Sequence, residues 1–160
     1  MSSQADKVTC GSDHEDLLDR LSEVVRVAPK ATPDIVSQII ASACSRIPLV
    51  RGKATEVGQL IKLGAWLDAA LALIELELPG WKLRRLIREE GEWFCSLSQQ
   101  PNLPVMLDDT ADGTHDVMPL AILLAFLEAR RRMSPGARLI TTVPAVDPAP
   151  AALICSDNFA

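Results

Sequence analysis

Apolar residues recur at helical spacing in four stretches of the chain. Two amphipathic helices are predicted over residues 13–27 and 33–46, with Thr32 as the N-cap of the second. The same period predicts one long helix over 56–77 and a last helix over 117–132. The pattern therefore predicts an N-terminal pair of helices followed by two longer ones.

The long helix has two apolar faces. One carries Val57 and Leu60 and continues to Leu78, and the second carries Trp66, Ala69, Ala70 and Leu73. A helix that is apolar on both sides is buried on both sides. We expect the sheet to cover one side, and the N-terminal helices or a second copy of the chain to cover the other.

Residues 81–98 favour a β-hairpin over a helix, because Pro79 and Gly80 precede them and β-forming residues follow Gly91. We predict a three-residue loop over 89–91, with Gly91 in the left-handed conformation. The register then pairs the following residues: Ile87 with Trp93, Arg85 with Cys95, Leu83 with Leu97, Leu86 with Phe94, Arg84 with Ser96 and Arg88 with Glu92. The apolar face, which carries Trp81 and Trp93, needs a helical cover.

The predicted fold class is α+β: two helices flanking an antiparallel hairpin or small sheet, with an additional N-terminal helical pair. The predicted division is a flexible tail over 1–11, a helical hairpin over 12–50, an α-β-β-α core over 54–133 and a loose Pro/Ala-rich tail over 134–160. Residues 103–107 (LPVML) and 137–143 (ARLITTV) are candidates for short strands.

This order of elements resembles the small phage-associated ABA-sandwich domain, whose second strand also carries Trp, Cys and Leu in alternation. The resemblance covers about the middle half of the chain. It implies a fold and no activity. The matching residues are Trp66, Trp81, Trp93, Cys95, Leu97, Ala121 and Ile122.

Composition places the chain among globular proteins, with 48% hydrophobic and 23% charged residues. The N-terminal residues are polar and acidic, unlike a secretory signal, and the most apolar run, 63–78, is interrupted by carboxylates. A cytoplasmic protein without a membrane segment is expected. The four cysteines are widely spaced and are expected to be free thiols.

The acidic stretch 108–116 partly fits a calcium-binding loop, but Pro119 stands where the template needs a bidentate Glu. Asp112, His115 and Asp116 are candidate ligands for a transition metal. The favoured interpretation is a solvated loop that caps the last helix. No cofactor is predicted.

Six arginines could form a basic strip for anions or nucleic acid, with Trp81 and Phe94 near enough to stack on bases. The net charge of −5 and the neighbouring glutamates oppose this interpretation. The candidate contacts are Arg84, Arg85, Arg88, Arg130, Arg131 and Arg132. The predicted register also places Arg85 on the core face beside Cys95, where it either snorkels to the edge or marks an anion site.

No motif of a known catalytic class is present, so no catalytic residue is predicted and an enzyme is not favoured. The favoured function is a small non-enzymatic interaction or structural module that self-associates through the second face of the long helix. The alternative is a nucleic-acid-associated accessory protein that uses the six arginines. A third hypothesis is a metal or thiol enzyme centred on Asp112, His115 and Asp116, or on Cys95.

Overall fold

The structure, a computed structural model, describes residues 9–50 and 52–134. The described residues form five helices and a three-stranded antiparallel sheet, so the predicted α+β class is confirmed. The elements are α1 (Thr9–Val27), α2 (Pro33–Ala43), α3 (Lys53–Lys62), α4 (Trp66–Glu77), β1 (Lys82–Glu89), β2 (Glu92–Ser98), β3 (Ala111–His115) and α5 (Met118–Met133), with single 3₁₀ turns at Ile47–Leu49 and Val105–Leu107.

The last helix, α5, lies at the centre of the molecule. Every residue from 120 to 127 is buried, and so is Ala129. The helix packs on β2 and β3 with one side and on α1 and α4 with the other. A helix without an exposed face in this stretch must be covered all round. The helix that is buried on both sides is therefore α5, whereas the sequence predicts such a helix over 56–77.

The predicted long helix is broken into α3 and α4 at Gly64. Gly64 has φ of +69°, and its N–H donates to Ile61 O at 3.1 Å. The N–H of Ala65 donates to Leu60 O at 2.9 Å. These two bonds form a Schellman motif, which ends a helix at a left-handed glycine. The prediction of one continuous helix over 56–77 is wrong for this reason.

The hairpin is present, but its turn is one residue shorter than predicted. Glu90 and Gly91 both have positive φ, +52° and +96°, and Glu89 pairs with Glu92 across the turn. A two-residue turn with two positive φ angles is the type I′ turn typical of hairpins. The register is accordingly shifted by one residue through most of the hairpin.

Most of the predicted strand pairs are therefore wrong. Ile87 faces Phe94, and Arg88 faces Trp93. A bulge between residues 83 and 85 restores the predicted pairing of Leu83 with Leu97. The remaining observed pairs are Leu86 with Cys95, Arg85 with Ser96 and Lys82 with Ser98.

A third strand, β3, lies where the sequence predicted an acidic loop. Buried and exposed residues alternate along Ala111–His115, and Gly113 faces α5. A Cβ on Gly113 would lie 2.4 Å from Ala121 O, so only glycine permits this contact between strand and helix. The candidate strand at 103–107 instead contains the 3₁₀ turn Val105–Leu107.

The two predicted N-terminal helices are present, although their ends differ from the prediction. Thr32 caps α2 by accepting a hydrogen bond from the Ile35 N–H at 3.4 Å. Helix α2 ends at Ala43, three residues before the predicted end, and residues 9–11 belong to α1 and not to the predicted tail. The rest of both predicted tails, including the candidate strand 137–143, lies outside the described residues. Within the described residues no helix has the length and apolar character needed to cross a membrane.

Candidate functional site

The sheet has an inner face toward α5 and an outer face away from it. Ala111, Gly113 and His115 are buried on the inner face, and the pairing places Cys95 and Leu97 beside them. Alternation along the strands places the other residues on the outer face. The outer face consists of Phe94, Ser96 and Ser98 of β2, Asp112 and Thr114 of β3, and Arg85 and Ile87 of β1.

The hairpin tip, residues 89–92, brings three glutamates together. Glu89 and Glu92 pair directly across the turn, and Glu90 occupies its first position. Like charges that face each other across strands are destabilising, and a left-handed residue other than glycine is strained. The tip therefore concentrates negative charge at a cost in local stability.

An open cavity of about 510 Å³ lies between the hairpin tip and the outer face. The three glutamates form its acidic rim, and Phe94 and Thr114 also line it. Phe94 is half-buried, so part of its ring remains accessible from the cavity. The cavity thus combines one aromatic ring with three carboxylates.

The apolar loop, residues 103–107, lies in the connection between β2 and β3. Val105, Met106 and Leu107 are 69%, 96% and 72% exposed. Three consecutive apolar side chains that are exposed to this degree form an unusual surface for a soluble chain. This loop is the most exposed apolar segment of the described residues.

Arg84 and Asp108 hold the apolar loop against the sheet. The Arg84 guanidinium pairs with Asp108 and also donates to Leu103 O at 2.7 Å. The Ser98 hydroxyl donates to the same carboxylate at 2.6 Å. The Asp108 side chain is 3% exposed, so its bonds to Arg84 and Ser98 are shielded from water. The loop is therefore anchored at both ends of its apolar segment.

The six arginines of the predicted basic strip do not form one free patch. Five of them lie within 4 Å of carboxylates, and the guanidinium of Arg88 lies 5.9 Å from the centre of the Trp93 ring. The carboxylate partners are Asp108 for Arg84, Glu89 for Arg85, Glu77 for Arg130, Asp19 and Glu128 for Arg131, and Asp109 and Glu128 for Arg132.

Arg85 and Cys95 lie on opposite faces of the sheet. Arg85 faces Ser96 on the outer side and approaches Glu89 at 3.8 Å, whereas Cys95 is fully buried beneath α5. The prediction that Arg85 lies on the core face is wrong because the turn is shorter than expected. Burial, together with the charge of Asp112, raises the pKa of Cys95 to about 12. Cys95 is therefore a neutral thiol at physiological pH.

A buried carboxylate that the sequence did not reveal lies at Glu77. Its side chain is 0% exposed and accepts three backbone hydrogen bonds, from Ser45 at 3.0 Å and from Arg46 and Ile47 at 2.7 Å. Arg130 of α5 lies 3.8 Å away. Glu77 thus joins the end of α4 to the connection after α2. No local pattern signals this role, because the partners are backbone groups about 30 residues earlier.

Cys44 lies in the same region as Glu77. Burial raises the pKa of Cys44 to about 12, with a further contribution from the negative charge of Glu77 that Arg130 partly offsets. Cys44 is therefore also a neutral thiol at physiological pH. Its surroundings favour a structural role for the whole cluster.

The candidate metal ligands are not brought together. Asp112 lies on the outer face and accepts a hydrogen bond from Thr110 at 3.2 Å, while His115 is buried on the inner face. Nδ1 of His115 lies 2.6 Å from Asp116 and accepts a hydrogen bond from the Val117 N–H at 2.9 Å. Within residues 9–50 and 52–134, no three His, Cys, Asp or Glu residues lie close enough to hold a metal ion.

The chain matches no protein family, no curated protein and no solved structure at a significant level. The resemblance to the ABA-sandwich domain therefore stays a prediction from the residues that carry it. What the site can do must be argued from its own geometry.

Proposed function

We propose that the protein is a small non-enzymatic interaction module that binds a basic, partly apolar segment of a partner protein on the outer face of its sheet. The observation that carries this proposal is the cavity of about 510 Å³ with three glutamates at its rim and Phe94 in its lining. A lysine or arginine side chain fits this chemistry, because its charged end pairs with carboxylates while its stem packs on an aromatic ring.

Strain at the hairpin tip supports a role in binding. Glu90 takes a positive φ where asparagine or glycine would be favoured, and Glu89 faces Glu92. Such unfavourable choices concentrate at sites where function requires them. Arg85 lies 3.8 Å from Glu89, so a cationic partner would act chiefly on Glu90 and Glu92 and would bind there with a favourable electrostatic term.

The apolar loop supplies a second contact for the partner. Val105, Met106 and Leu107 are exposed on a segment that Arg84 and Asp108 already hold in place. Because the loop is anchored before binding, little conformational entropy is lost when a partner covers it. We assign the loop and the cavity to one binding surface, with the acidic rim selecting basic partners.

The other hypotheses have less support from the described residues. Arginines that pair with carboxylates release few counterions from nucleic acid, which weakens the nucleic-acid alternative. Ala69, Ala70 and Leu73, which the sequence assigned to self-association, are buried within the chain itself. Cys95 and the separated metal candidates offer no assembled catalytic group.

Binding of a synthetic peptide of alternating lysine and leucine, followed by fluorescence anisotropy, tests the proposal. We expect Glu89→Gln together with Glu92→Gln to weaken binding about tenfold, because two charges of the rim are lost. The matched control removes two exposed carboxylates of α4, with Asp68→Asn and Glu75→Gln, and should leave the affinity unchanged.

An equal loss of affinity in the control would show that only net charge attracts the peptide, and would overturn the proposed site. Met106→Asp should also weaken binding if the apolar loop belongs to the same surface. Retention on single-stranded DNA that falls steeply with salt would favour the nucleic-acid alternative instead. Sedimentation that shows a dimer held by the outer face would replace the basic partner with a second copy.

A further inference from the structure

The outer face of the sheet changes the sign of its charge along strand β1. Antiparallel pairing arranges the side chains of this face in rows across the strands, and successive rows lie about 7 Å apart. Starting at the hairpin tip, the rows are Glu89 with Glu92, then Ile87 with Phe94 and Thr114, then Arg85 with Ser96 and Asp112. Along β1 the face therefore runs from a carboxylate through an apolar side chain to a cation.

Arg85 is accessible to a carboxylate of a partner. Its side chain is 58% exposed and lies 3.8 Å from Glu89, which is itself 71% exposed. An exposed ion pair of this kind contributes little to stability, so Arg85 loses little when it exchanges Glu89 for another carboxylate. The neighbouring Arg84, in contrast, is already held by Asp108. Lys82 is a second exposed cation of β1, farther from the tip.

We infer that the bound partner segment is extended and carries a basic, an apolar and an acidic side chain at alternate positions, in that order from the hairpin tip. The inference rests on the proposed function and specifies the chemistry of its partner. Alternate side chains of an extended chain lie on one side about 7 Å apart, the same spacing as the rows of the sheet. The apolar side chain then packs on Ile87 and Phe94, and the acidic one pairs with Arg85. Because Arg85 leaves Glu89 in this arrangement, all three glutamates of the tip face the basic side chain.

Asp112 determines the side of the sheet over which the segment lies. It is exposed in the same row as Arg85, but on β3, whose backbone lies about 10 Å from that of β1 because two strand spacings separate them. A carboxylate of the partner is repelled by Asp112 and attracted by Arg85. The segment is therefore expected over β1 and β2, where the ring of Phe94 also lies.

Fluorescence anisotropy of two labelled peptides with the full chain tests the inference. The glutamate peptide has the order Lys-Thr-Leu-Thr-Glu between glycines, and the glutamine peptide replaces its glutamate with glutamine. The native protein should bind the glutamate peptide about threefold more tightly, the size expected for one exposed ion pair. Arg85→Glu should reverse this preference, because the added carboxylate repels that of the peptide. Arg88→Glu makes the same change of charge on the opposite side of β1, beside Trp93, and should leave the preference unchanged.

A third peptide of the same composition, Lys-Thr-Glu-Thr-Leu, tests the order of the side chains and should bind about threefold more weakly than the glutamate peptide. Equal affinity for these two peptides, or for the glutamate and glutamine peptides, would overturn the inference. A preference that survives Arg85→Glu, or that Arg88→Glu also reverses, would overturn it as well. The proposed function fails separately, if the glutamine peptide does not bind or if Glu89→Gln together with Glu92→Gln does not weaken its binding.

Discussion

Glu90 shows at the scale of one residue how the hairpin tip departs from what stability alone would favour. Its φ of +52° places a side chain with a Cβ in a region that suits asparagine and glycine. Gly91 is a sequence signal for a turn, but the sequence does not predict that the preceding glutamate is left-handed. The sequence therefore predicts a loop that is one residue longer than the observed turn.

Replacing Glu90 with asparagine should stabilise the hairpin. We expect Glu90→Asn to raise the free energy of unfolding by about 1 kcal/mol, because the strain of the left-handed conformation is reduced. Urea denaturation followed by tryptophan fluorescence measures this change. Glu90→Gln keeps the strain and removes the charge, so an equal gain in that variant would assign the effect to repulsion between the glutamates.

Glu77 stabilises the fold, in contrast to Glu90, because its buried carboxylate accepts three backbone hydrogen bonds and lies beside Arg130. Glu77→Gln should lower the free energy of unfolding by roughly 3 kcal/mol, because an amide cannot accept all three backbone hydrogen bonds and leaves Arg130 without its partner. Thermal and urea unfolding measure the loss. Glu75→Gln, two residues earlier on the exposed side of α4, should change stability by less than about 0.5 kcal/mol. Similar losses in both variants would contradict the role of Glu77.

At the scale of elements, the sequence predicts the helices and strands that hydrophobic periodicity, capping and turn residues determine. The Thr32 cap and the apolar repeats identify α1, α2 and α5, and Gly91 together with the β-forming residues after it identifies the hairpin. The sequence does not predict the break at Gly64 or the strand β3. Glycine inside a helical pattern is often tolerated, and Ala-Asp-Gly-Thr-His has little intrinsic strand propensity. Strand β3 exists because β2 and α5 flank it, which is a tertiary cause.

A substitution at Gly113 tests whether packing against α5 maintains strand β3. Gly113→Ala should destabilise the protein by more than about 3 kcal/mol, because its Cβ would lie 2.4 Å from backbone atoms of α5. Gly58→Ala is the matched control, in helix α3, with no atom within 4 Å of the added Cβ. It should be neutral or stabilising by about 0.5 kcal/mol. A mild effect of Gly113→Ala would mean that α5 does not approach the strand this closely.

At the scale of the whole molecule, the central position of α5 explains why the candidate site could not be predicted. Helix α5 covers the inner face of the sheet, which carries Cys95. The side chains that a ligand can reach therefore lie on the outer face. The sequence identifies the six arginines as candidate contacts by their charge alone. Five of the six candidate arginines pair with carboxylates in the fold, whereas the three glutamates of the hairpin tip line the cavity.

The same arrangement bears on the predicted boundary between a helical hairpin over 12–50 and a core over 54–133. Buried residues of α1 and α2 belong to one continuous apolar cluster with α5 and the sheet, and α1 packs directly on α5. Elements that share a core unfold together. We therefore expect hydrogen exchange in mild denaturant to give amides of α1 and of β2 the same free energy of opening.

Leu18 allows this expectation to be tested with a single substitution. Leu18 is 1% exposed in α1, and Leu18→Ala should lower the opening free energy of both α1 and β2 by roughly 3 kcal/mol. Leu17, its neighbour, is 38% exposed, so Leu17→Ala should cost much less in both elements. If Leu18→Ala lowered protection in α1 and α2 alone, the N-terminal helices would be a separate cooperative unit. Equal losses in α1 and β2 instead require that the burial of α5 couples the N-terminal helices to the sheet that carries the site.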